Sequence, residues 1–548
     1  SGLRSSLSKL AIAVACGLFS ASYAAAYDAS IYAQSGRTVT INQPTLTIEG
    51  TGGDHPIIGI VADNGSIVNV KADIVDMQLS APISHTKAIV AAGGEGPGAQ
   101  INMDAKQISI FMSGGGRGIE SNWGSEISMN ASESISIATK SNVGYTFGIM
   151  VDGYGNGQGS TLSIQAPDIK VSSLVTGDNQ NYLSTIFMQS NGRDIHSLAL
   201  GTENAKNVSI DMTVRKSAHG AYAVRIDGGS AVIGNANAAV SISAENNTPG
   251  DTDGFGFGGA VDVRGTAASL TINASRLDIS ASSNLKTSGF RLSNNSVLTV
   301  NAPTYIKVTG GSSTSYASEG IRNSFVGDED YMVPATTQAV FNEQVTVDVS
   351  AKQSVRGVAV LNGKAFNSSV NPDDHGGLIT FNSDLTINAN SSEVNARGIA
   401  LDNYFVDGTH SSTPNGIPGM GANLIVKGKL SSNAVAKGNS FAIDLNDKSD
   451  LKAGSLNLSA LSQTRGAYGI NVDGSTGNVY ASGSEMNISA ESQGDGEEAM
   501  AAGVAVQGGS VTLRAPVINI SAKAPEEAAW AVGLALDTGA HVSIGQEG

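Results

Sequence analysis

One short phrase recurs along this chain, and its recurrence constrains the fold more than any other feature. The clearest copy, GVAVQGGSVTLRAPVINIS, runs from Gly503 to Ser521. About fifteen copies align on a tight apolar opening such as G-[IV]-x-[VL], with a mean spacing of about 34 residues. Self-similarity at this spacing is typical of proteins that stack one structural unit. The copies begin at Gly59, Ala88, Gly118, Gly148, Ile186, Ala223, Ala260, Gly289, Gly320, Gly357, Gly398, Ala442, Gly469, Gly503 and Gly533.

Each copy contains three short segments in which apolar and polar residues alternate. In the clearest copy, Gly508-Gly509 separates the first segment from the second, and Ala515-Pro516 separates the second from the third. Alternation with a period of two predicts strands with one buried face, and Gly or Asn at the joints permits sharp corners. Three strands per repeat, stacked in phase, predict an all-β, right-handed parallel β-helix of about 15 coils and about 70 Å. The alternation by itself does not determine the hand of the coil.

An array of β-hairpins is the alternative architecture. Asn-Gly and Gly-Gly pairs occur between the segments, and the same pairs form two-residue turns between antiparallel strands. The in-phase copies favour the coil.

The first 26 residues differ from the repeat. Arg4 and Lys9 precede an apolar run over 10–19, and a stretch rich in small residues follows as far as Ala26. A charged start, a short apolar middle and a small-residue end predict a secretory signal peptide over 1–26. A buried N-terminal helix is the alternative.

Two further segments follow along the chain. Residues 27–56 are expected to form an N-terminal cap or a first incomplete coil, and residues 57–548 the β-helix. The sequence stops within a repeat, so we expect the natural chain to continue beyond Gly548. The single cysteine, Cys16, falls in the predicted signal peptide, and the mature chain would therefore depend on packing rather than on disulfides.

Charge narrows the choice of partner. The net charge is −16, and no Lys/Arg cluster is visible along the sequence. Such a chain repels a phosphate backbone, so we expect no nucleic-acid partner.

These features together resemble the passenger region of type V autotransporters, which are Gram-negative surface proteins and include many adhesins. The resemblance rests on a signal peptide followed by a long, acidic, Gly/Ser/Asn-rich run of β-coil repeats without cysteine, and it covers nearly the whole mature chain. It implies a β-helix displayed at the cell surface or released outside the cell. It also implies attachment to the outer membrane through a C-terminal barrel, which is absent from this sequence.

Motifs that carry chemistry are sparse. The seven histidines show no H-x-x-x-H spacing, and no G-x-S-x-G string marks a nucleophilic serine. GFGFGG at 254–259 precedes a short strand pattern rather than a helix, which argues against a phosphate site. DTDG at 251–254 and NPDDHGG at 371–377 do not complete a calcium loop. We therefore expect no catalytic residues, no metal site, no cofactor and no enzymatic activity.

The repeat is interrupted by long inserts, which in stacked repeats often carry the function. The richest insert spans 403–421, and its Tyr404, Phe405 and His410 are the candidate binding residues. We expect an adhesin that binds host surface or matrix molecules or glycans, or that self-associates between cells. Outward Ser, Thr and Asn ladders would add many weak contacts. A secreted β-helix polysaccharide lyase or hydrolase, with carboxylates aligned in a groove, and a structural stalk are the alternatives.

Overall fold

A computed structural model places all of the described secondary structure in strands. It describes residues 28–545, except for gaps at 54–56, 83–85, 95, 143, 153–158, 178, 191–194, 217, 249–256, 266, 294, 312–316, 325–336, 363–376, 404–421, 447–448 and 527–529. The predicted signal peptide at 1–26 lies outside this range. Within it, 43 strands follow one another along the chain.

The first fourteen strands are β1 (Asp28–Ala33), β2 (Thr38–Asn42), β3 (Thr45–Thr51), β4 (Ile57–Asp63), β5 (Ile67–Lys71), β6 (Ile74–Ser80), β7 (Thr86–Ala92), β8 (Gln100–Ser113), β9 (Gly116–Asn122), β10 (Glu126–Ser141), β11 (Thr146–Asp152), β12 (Thr161–Gln165), β13 (Asp168–Val175) and β14 (Asn179–Gln189). The next fifteen are β15 (Ser197–Leu200), β16 (Asn207–Val214), β17 (Ala218–Asp227), β18 (Ser230–Ile233), β19 (Ala239–Asn246), β20 (Phe257–Arg264), β21 (Ser269–Asn273), β22 (Arg276–Ser283), β23 (Thr287–Ser293), β24 (Val297–Asn301), β25 (Thr304–Gly310), β26 (Ser318–Ser324), β27 (Gln338–Phe341), β28 (Val345–Ala351) and β29 (Val355–Asn362). The last fourteen are β30 (Leu378–Phe381), β31 (Leu385–Ser391), β32 (Ala396–Asn403), β33 (Ala422–Ala436), β34 (Ser440–Leu445), β35 (Ser449–Ser462), β36 (Gly466–Asp473), β37 (Thr476–Ala481), β38 (Glu485–Ser492), β39 (Met500–Gln507), β40 (Ser510–Arg514), β41 (Val517–Lys523), β42 (Trp530–Leu536) and β43 (His541–Gly545).

The strands form three parallel columns that run along the rod. The first sheet has 16 strands, in the order β1-β4-β7-β9-β11-β14-β17-β20-β23-β26-β29-β32-β34-β36-β39-β42. The second sheet begins β2-β5 and the third begins β3-β6. The long strands β8, β10, β33 and β35 each contribute their first half to the second sheet and their second half to the third.

Each strand pairs with the equivalent strand of the next coil, and all of these pairings are parallel. For example, β39 pairs with β42, β40 with β43, and β38 with β41. A hairpin array would pair consecutive strands in antiparallel fashion. The parallel β-helix prediction is therefore confirmed, and the hairpin alternative is wrong. Residues 27–56 contain β1, β2 and β3, which pair in parallel with β4, β5 and β6.

The core is a continuous stack of inward aliphatic side chains. Ile60, Ile89, Ile119 and Ile149 occupy the same register position in successive coils of the first sheet, and all four are fully buried. Three inward phenylalanines, Phe290, Phe341 and Phe381, stack farther along the rod. With parallel strands about 4.8 Å apart, the first sheet extends for about 70 Å.

The glycine that opens the phrase has a different role from the one that alternation suggests. We expected Gly503 to begin the first strand, but β39 begins three residues earlier, at Met500. A Cβ atom at Gly503 would collide with Ile520 of the third sheet and would lie 2.8 Å from the Gly533 carbonyl oxygen. The glycine therefore permits close approach between two sheets within a strand.

The predicted corners are confirmed. Gly508-Gly509 joins β39 to β40, and Gly508 has a φ of +68°. Ala515-Pro516 joins β40 to β41. The positive φ at Gly508 lies in the region that glycine adopts without steric cost.

Candidate functional site: the outer face of the first sheet

The binding residues proposed from the sequence lie outside the described residues. Tyr404, Phe405 and His410 belong to the gap at 404–421, which directly follows β32. Their assignment stays a prediction, as does that of the acidic turn at 251–254.

The described structure points instead to the outer face of the first sheet. In most strands of the second and third sheets buried residues alternate with exposed or half-buried ones, as in β38. In the first sheet both faces are largely covered, and all six residues of β34 are buried. An outward face that is buried and chemically varied needs a separate explanation, because solvent-facing positions are ordinarily polar.

The outer face begins at the N-terminal end with apolar residues. Ile58, Val61 and Val90 form a small cluster against Tyr32 and Ala92.

The next coils carry an ion pair and then aromatic side chains. Glu120 of β9 is paired with Lys87 at 2.6 Å and with Arg117. Burial raises the pKa of a carboxyl group, but these two cations outweigh it and hold the pKa of Glu120 below its ordinary value. Phe147 and Phe187 then stack with their ring centroids 5.3 Å apart.

The central part of the face presents one arginine in each of six consecutive strands. We call this set the arginine ladder: Arg225 in β17, Arg264 in β20, Arg291 in β23, Arg322 in β26, Arg356 in β29 and Arg397 in β32. Five steps between adjacent strands give a ladder about 24 Å long, parallel to the rod axis.

Four carboxylates lie among these arginines. Asp227 accepts bonds from Arg225 and Arg264, each at 2.7 Å for its shortest contact. Glu319 lies 3.2 Å from Arg322 and 3.1 Å from Arg356.

The other two carboxylates are also buried. Asp444 is 2.5 Å from Arg397 and accepts a bond from the Asn471 amide at 2.8 Å. Asp262 lies 4.0 Å from Arg264 Nε and 3.9 Å from Arg291 Nε, and neither of its oxygens accepts a hydrogen bond. Asp262 therefore contributes charge to the ladder without hydrogen-bonding its arginines.

Two groups of this face have pKa values near 7. The buried Lys286, directly before β23, adds a seventh cation to the six arginines. Burial, followed by the charges of Arg291 and Arg322, lowers the pKa of Lys286 to about 7. Burial and the neighbouring Asp262 raise the pKa of Asp227 to about 7, despite the opposing charge of Arg225. Among the described residues of this face, seven basic groups accompany these four carboxylates, on a protein whose net charge is −16.

Aromatic rings mark both ends of the ladder. The Arg225 guanidinium carbon lies 5.3 Å from the Phe187 ring centroid, and that of Arg397 lies 5.2 Å from the Phe441 centroid. Phe441 in turn stacks on Tyr468 at 5.1 Å. These distances are in the range of cation–π and stacking interactions, so the terminal arginines are held in fixed orientations.

A second, shallower surface lies on the third sheet. Asn and Ser side chains of β33, β35, β38 and β41 line a groove of about 450 Å³. Asn519 donates to the Asn487 side chain at 2.8 Å, and Ser489 donates to the Leu458 carbonyl at 3.0 Å. These are the outward polar ladders that the sequence predicted, and much of their hydrogen-bonding capacity is used between coils.

Sequence reasoning missed the arginine ladder because its members are far apart along the chain. The sequence shows no linear Lys/Arg cluster, because the six arginines come together only when the coils stack. The signal was present within the repeat, since arginine recurs beside the strand-opening phrase in AVRID, VDVRG, GFRLS, GIRNS, SVRGV and NARGI. Coil stacking brings these positions to one face in three register rows: Arg225, Arg291 and Arg322 share the first, Arg356 and Arg397 share the second, and Arg264 lies in the third.

Two searches for other kinds of site apply only to the described part of the chain. There, no group of three or more His, Cys, Asp or Glu side chains could hold a metal ion. None of the elements found there is a helix with the length and apolarity needed to cross a membrane.

Comparisons of the chain with protein-family models, curated proteins and solved structures find no match.

Proposed function

We propose that this protein is an adhesin-like binding rod, an exported passenger of the autotransporter type that attaches through the outer face of its first sheet. The observation that carries the proposal is the arginine ladder, which places one guanidinium group on each of six consecutive coils. Guanidinium groups recognise carboxylate, sulfate and phosphate groups through paired N–H donors. Guanidinium groups spread over six consecutive coils would contact successive groups of an extended molecule.

The rod geometry supports attachment through many contacts. Strands about 4.8 Å apart carry these arginines on six consecutive coils, so a long ligand would contact several of them at once. Each contact is weak alone, but contacts made by one ligand reinforce each other by raising its effective local concentration. The proposed partners are host matrix molecules, glycans or the surfaces of neighbouring cells.

Export and surface display are part of the proposal. They are supported by the charged, apolar and small-residue order within 1–26 and by the lack of cysteine after Cys16. Expressing the chain with its first 26 residues in a Gram-negative host tests export. We expect mature protein outside the cytoplasm, with a new N-terminus near Ala24 by mass spectrometry.

Attachment is tested with beads that carry the purified protein. We expect them to adhere to epithelial cells or to an extracellular-matrix coating more than beads carrying an unrelated acidic protein do. Equal adherence on every surface contradicts the proposal and leaves the structural-stalk interpretation.

A second candidate function is a polysaccharide lyase acting on uronic acids. The observation that favours it is that Lys286, beside Arg291 and Arg322, has a pKa of about 7, as proton-transfer groups often do. In such a reaction arginine would neutralise the uronate carboxylate, and neutral Lys286 would remove the proton on the adjacent ring carbon. The bond to the leaving glycosidic oxygen would then break, a carboxylic acid would protonate that oxygen, and a carbon–carbon double bond would form.

Lyase activity is tested by incubating the protein with polygalacturonate and alginate. The unsaturated product absorbs ultraviolet light, so a steady rise in absorbance that disappears in Lys286→Met supports the lyase. No rise, together with bead adherence, supports the binding rod.

A further inference from the structure

A groove of about 390 Å³ runs along the corner between the third and first sheets, near the N-terminal end of the rod. We call it the corner groove. Its lining includes a register row at the end of the third sheet, where Ser80, Ser113 and Lys140 occupy successive coils. Asn142 and Thr176, which follow the ends of β10 and β13, also line it. The lining comes from five coils and therefore spans about 19 Å.

The floor of the corner groove is backbone that is held by hydrogen bonds between coils. The Ala81 N–H donates to the Ser113 carbonyl oxygen at 3.0 Å, and the Gly114 N–H donates to the Lys140 carbonyl oxygen at 2.9 Å. A Cβ atom at Gly114 would collide with the Ala81 carbonyl oxygen, so a glycine permits this close approach of two coils. The groove is therefore formed before any ligand binds, which lowers the entropic cost of binding.

The polar side chains of the corner groove keep their hydrogen-bonding capacity. Among the described residues, the hydroxyl groups of Ser80 and Ser113 and the amide of Asn142 form no side-chain hydrogen bond. In the shallow groove farther along the third sheet, by contrast, Asn519 and Ser489 donate to neighbouring coils. The corner groove therefore presents donors and acceptors to a ligand, whereas the other groove uses them to join coils.

Lys140 gives the corner groove a positive charge. The residue is exposed, and within the described part of the chain it forms no ion pair. The described lining of the groove contains no carboxylate. A lone ammonium group in a groove, on a protein of net charge −16, is complementary to a single anionic group of a ligand.

An exposed aromatic ring lies beside this charge. Phe111 precedes Ser113 by two residues in β8, so both side chains point to the same face of the sheet. The Phe111 ring is 38% exposed and has no aromatic or cation contact among the described residues. Its register neighbour in β10 is Ala138, which is too small to cover the ring. Phe111 and Lys140 are diagonal neighbours, with their Cα atoms about 8 Å apart.

The combination of these groups indicates the class of ligand. An aromatic face packs against the apolar face of a sugar ring, neutral hydroxyl and amide groups bond to sugar hydroxyls, and an ammonium group pairs with a carboxylate. We infer that the corner groove binds an acidic oligosaccharide, with a sugar ring against Phe111 and a carboxylate against Lys140. The site lies on a different sheet from the arginine ladder, so this inference goes beyond the proposed attachment surface and does not depend on it.

The experiment titrates the whole purified protein with three short probes in a calorimeter at physiological salt. Tetragalacturonate carries sugar rings and carboxylates, maltotetraose carries sugar rings without charge, and tetraglutamate carries carboxylates without sugar rings. We expect tetragalacturonate to bind at least about tenfold more tightly than either of the others, and more weakly as salt is raised. Equal affinity for maltotetraose overturns the role of Lys140, and equal affinity for tetraglutamate overturns the recognition of sugar. No binding of tetragalacturonate overturns the inference altogether.

The decisive variant is Phe111→Ala/Lys140→Gln. Its matched control is Tyr305→Ala/Lys307→Gln, which removes an exposed aromatic ring and an exposed lysine from β25 of the same sheet. Both variants change the net charge equally, so a difference between them reports the position of the groups. We expect the first variant to raise the Kd for tetragalacturonate by about tenfold or more, and the control to change it by less than about threefold. Equal losses in the two variants, or no loss in the first, overturn the inference.

A second pair of variants tests the groove itself. Ser80→Leu removes a hydroxyl group and obstructs the groove, whereas Ser350→Leu makes the same change in the same register row outside it. Both serines are exposed, so we expect both variants to fold, which circular dichroism and thermal unfolding check. We expect Ser80→Leu to weaken binding of tetragalacturonate several-fold and Ser350→Leu to leave it unchanged. Unchanged affinity in a folded Ser80→Leu variant overturns the placement of the ligand in the corner groove.

Discussion

The first sheet and the other two sheets share one coil geometry but differ in their outer faces. In β16 and β38, outward positions are half-buried or exposed and are occupied mainly by Ser, Asn, Asp and Glu. In the first sheet, outward positions change along the rod from apolar to aromatic to arginine residues, and most are buried. Coil stacking does not require this change, because the second and third sheets stack without it.

The outer faces carry two kinds of side-chain ladder, one of uniform polar residues and one of arginines. Ladders of identical small polar residues, such as the linked amides of Asn301 and Asn342, stabilise each coil in the same way as the next. The arginine ladder instead combines guanidinium groups with the carboxylates of Asp227, Asp262, Glu319 and Asp444. Residue types that the fold does not need and that carry electrostatic strain are typical of functional surfaces.

The largest expected effect comes from breaking a buried ion pair in the first sheet. Glu319→Gln removes the carboxylate that lies between Arg322 and Arg356 and leaves two partly buried cations without it. We expect a loss of about 3–5 kcal/mol in the free energy of unfolding, measured with urea and circular dichroism. The matched change in the third sheet is Asp211→Asn, which affects only half-buried contacts to Ser209 and Ser243. We expect it to lower the free energy of unfolding by about 1 kcal/mol.

The pH dependence gives an internal check on that prediction. Burial opposes ionisation of Glu319, but Arg322 and Arg356 outweigh it, so its pKa lies below the ordinary 4.5. Its stabilising contribution is therefore complete above pH 4.5 and is lost as the pH falls through the lowered pKa. The difference between wild type and Glu319→Gln should shrink in acid, and a constant difference contradicts the assignment.

The second prediction concerns the inner side of the first sheet. Gly357→Ala would place a Cβ atom against Ile387 of the third sheet and 2.6 Å from the Gly398 carbonyl oxygen. We expect about 1–3 kcal/mol of destabilisation from overpacking. Gly508→Ala, at a corner with no neighbour within 4 Å, should lose only about 1 kcal/mol from its positive φ. Equal losses of stability in the two variants would show that close contact between the sheets is not the reason for a glycine at Gly357.

The fold could be predicted from the sequence because each repeat contains its own strand alternation and its own corner residues. The corners at Gly508-Gly509 and Ala515-Pro516 followed from residue type alone. The role of Gly503 did not, since it depends on the distance to Ile520 in another sheet. Alternation indicates which residues point outward, but it does not indicate whether an outward face is covered.

The site was harder to predict for a related reason. Arg225 and Arg397 are 172 positions apart in the numbering, and only the stacking of the coils brings them to the same face. Variable insert lengths hide that alignment in the linear sequence. The candidate residues Tyr404, Phe405 and His410 were selected because they interrupt the repeat, whereas the ladder lies within the repeat.

The third prediction tests the uniform polar ladders of the second sheet. Asn342 donates to Asn301 and accepts from Asn382, both at 2.5 Å. Asn342→Ala removes both bonds at an exposed corner, so about 1 kcal/mol of destabilisation is expected in urea unfolding. Asn519→Ala, which removes one bond to Asn487, should have a smaller effect. A loss for Asn342→Ala as large as that for Glu319→Gln would remove the distinction between the two kinds of outer face.

The smallest expected effect is a pH dependence of polyanion binding near neutrality. Asp227 and Lys286, both with pKa values of about 7, each gain a proton between pH 8 and pH 6, and each gain makes the ladder more positive. The charged groups around them are Arg225, Arg264, Arg291, Arg322, Asp262 and Glu319. Since alginate stays ionised over this range, its affinity should rise by several-fold as the pH falls, measured at constant ionic strength. Asp227→Asn and Lys286→Met should each flatten part of the profile, because each removes one of the two titrations. A flat profile in the wild type, or an unchanged one in both variants, would show that the ladder does not titrate in this range.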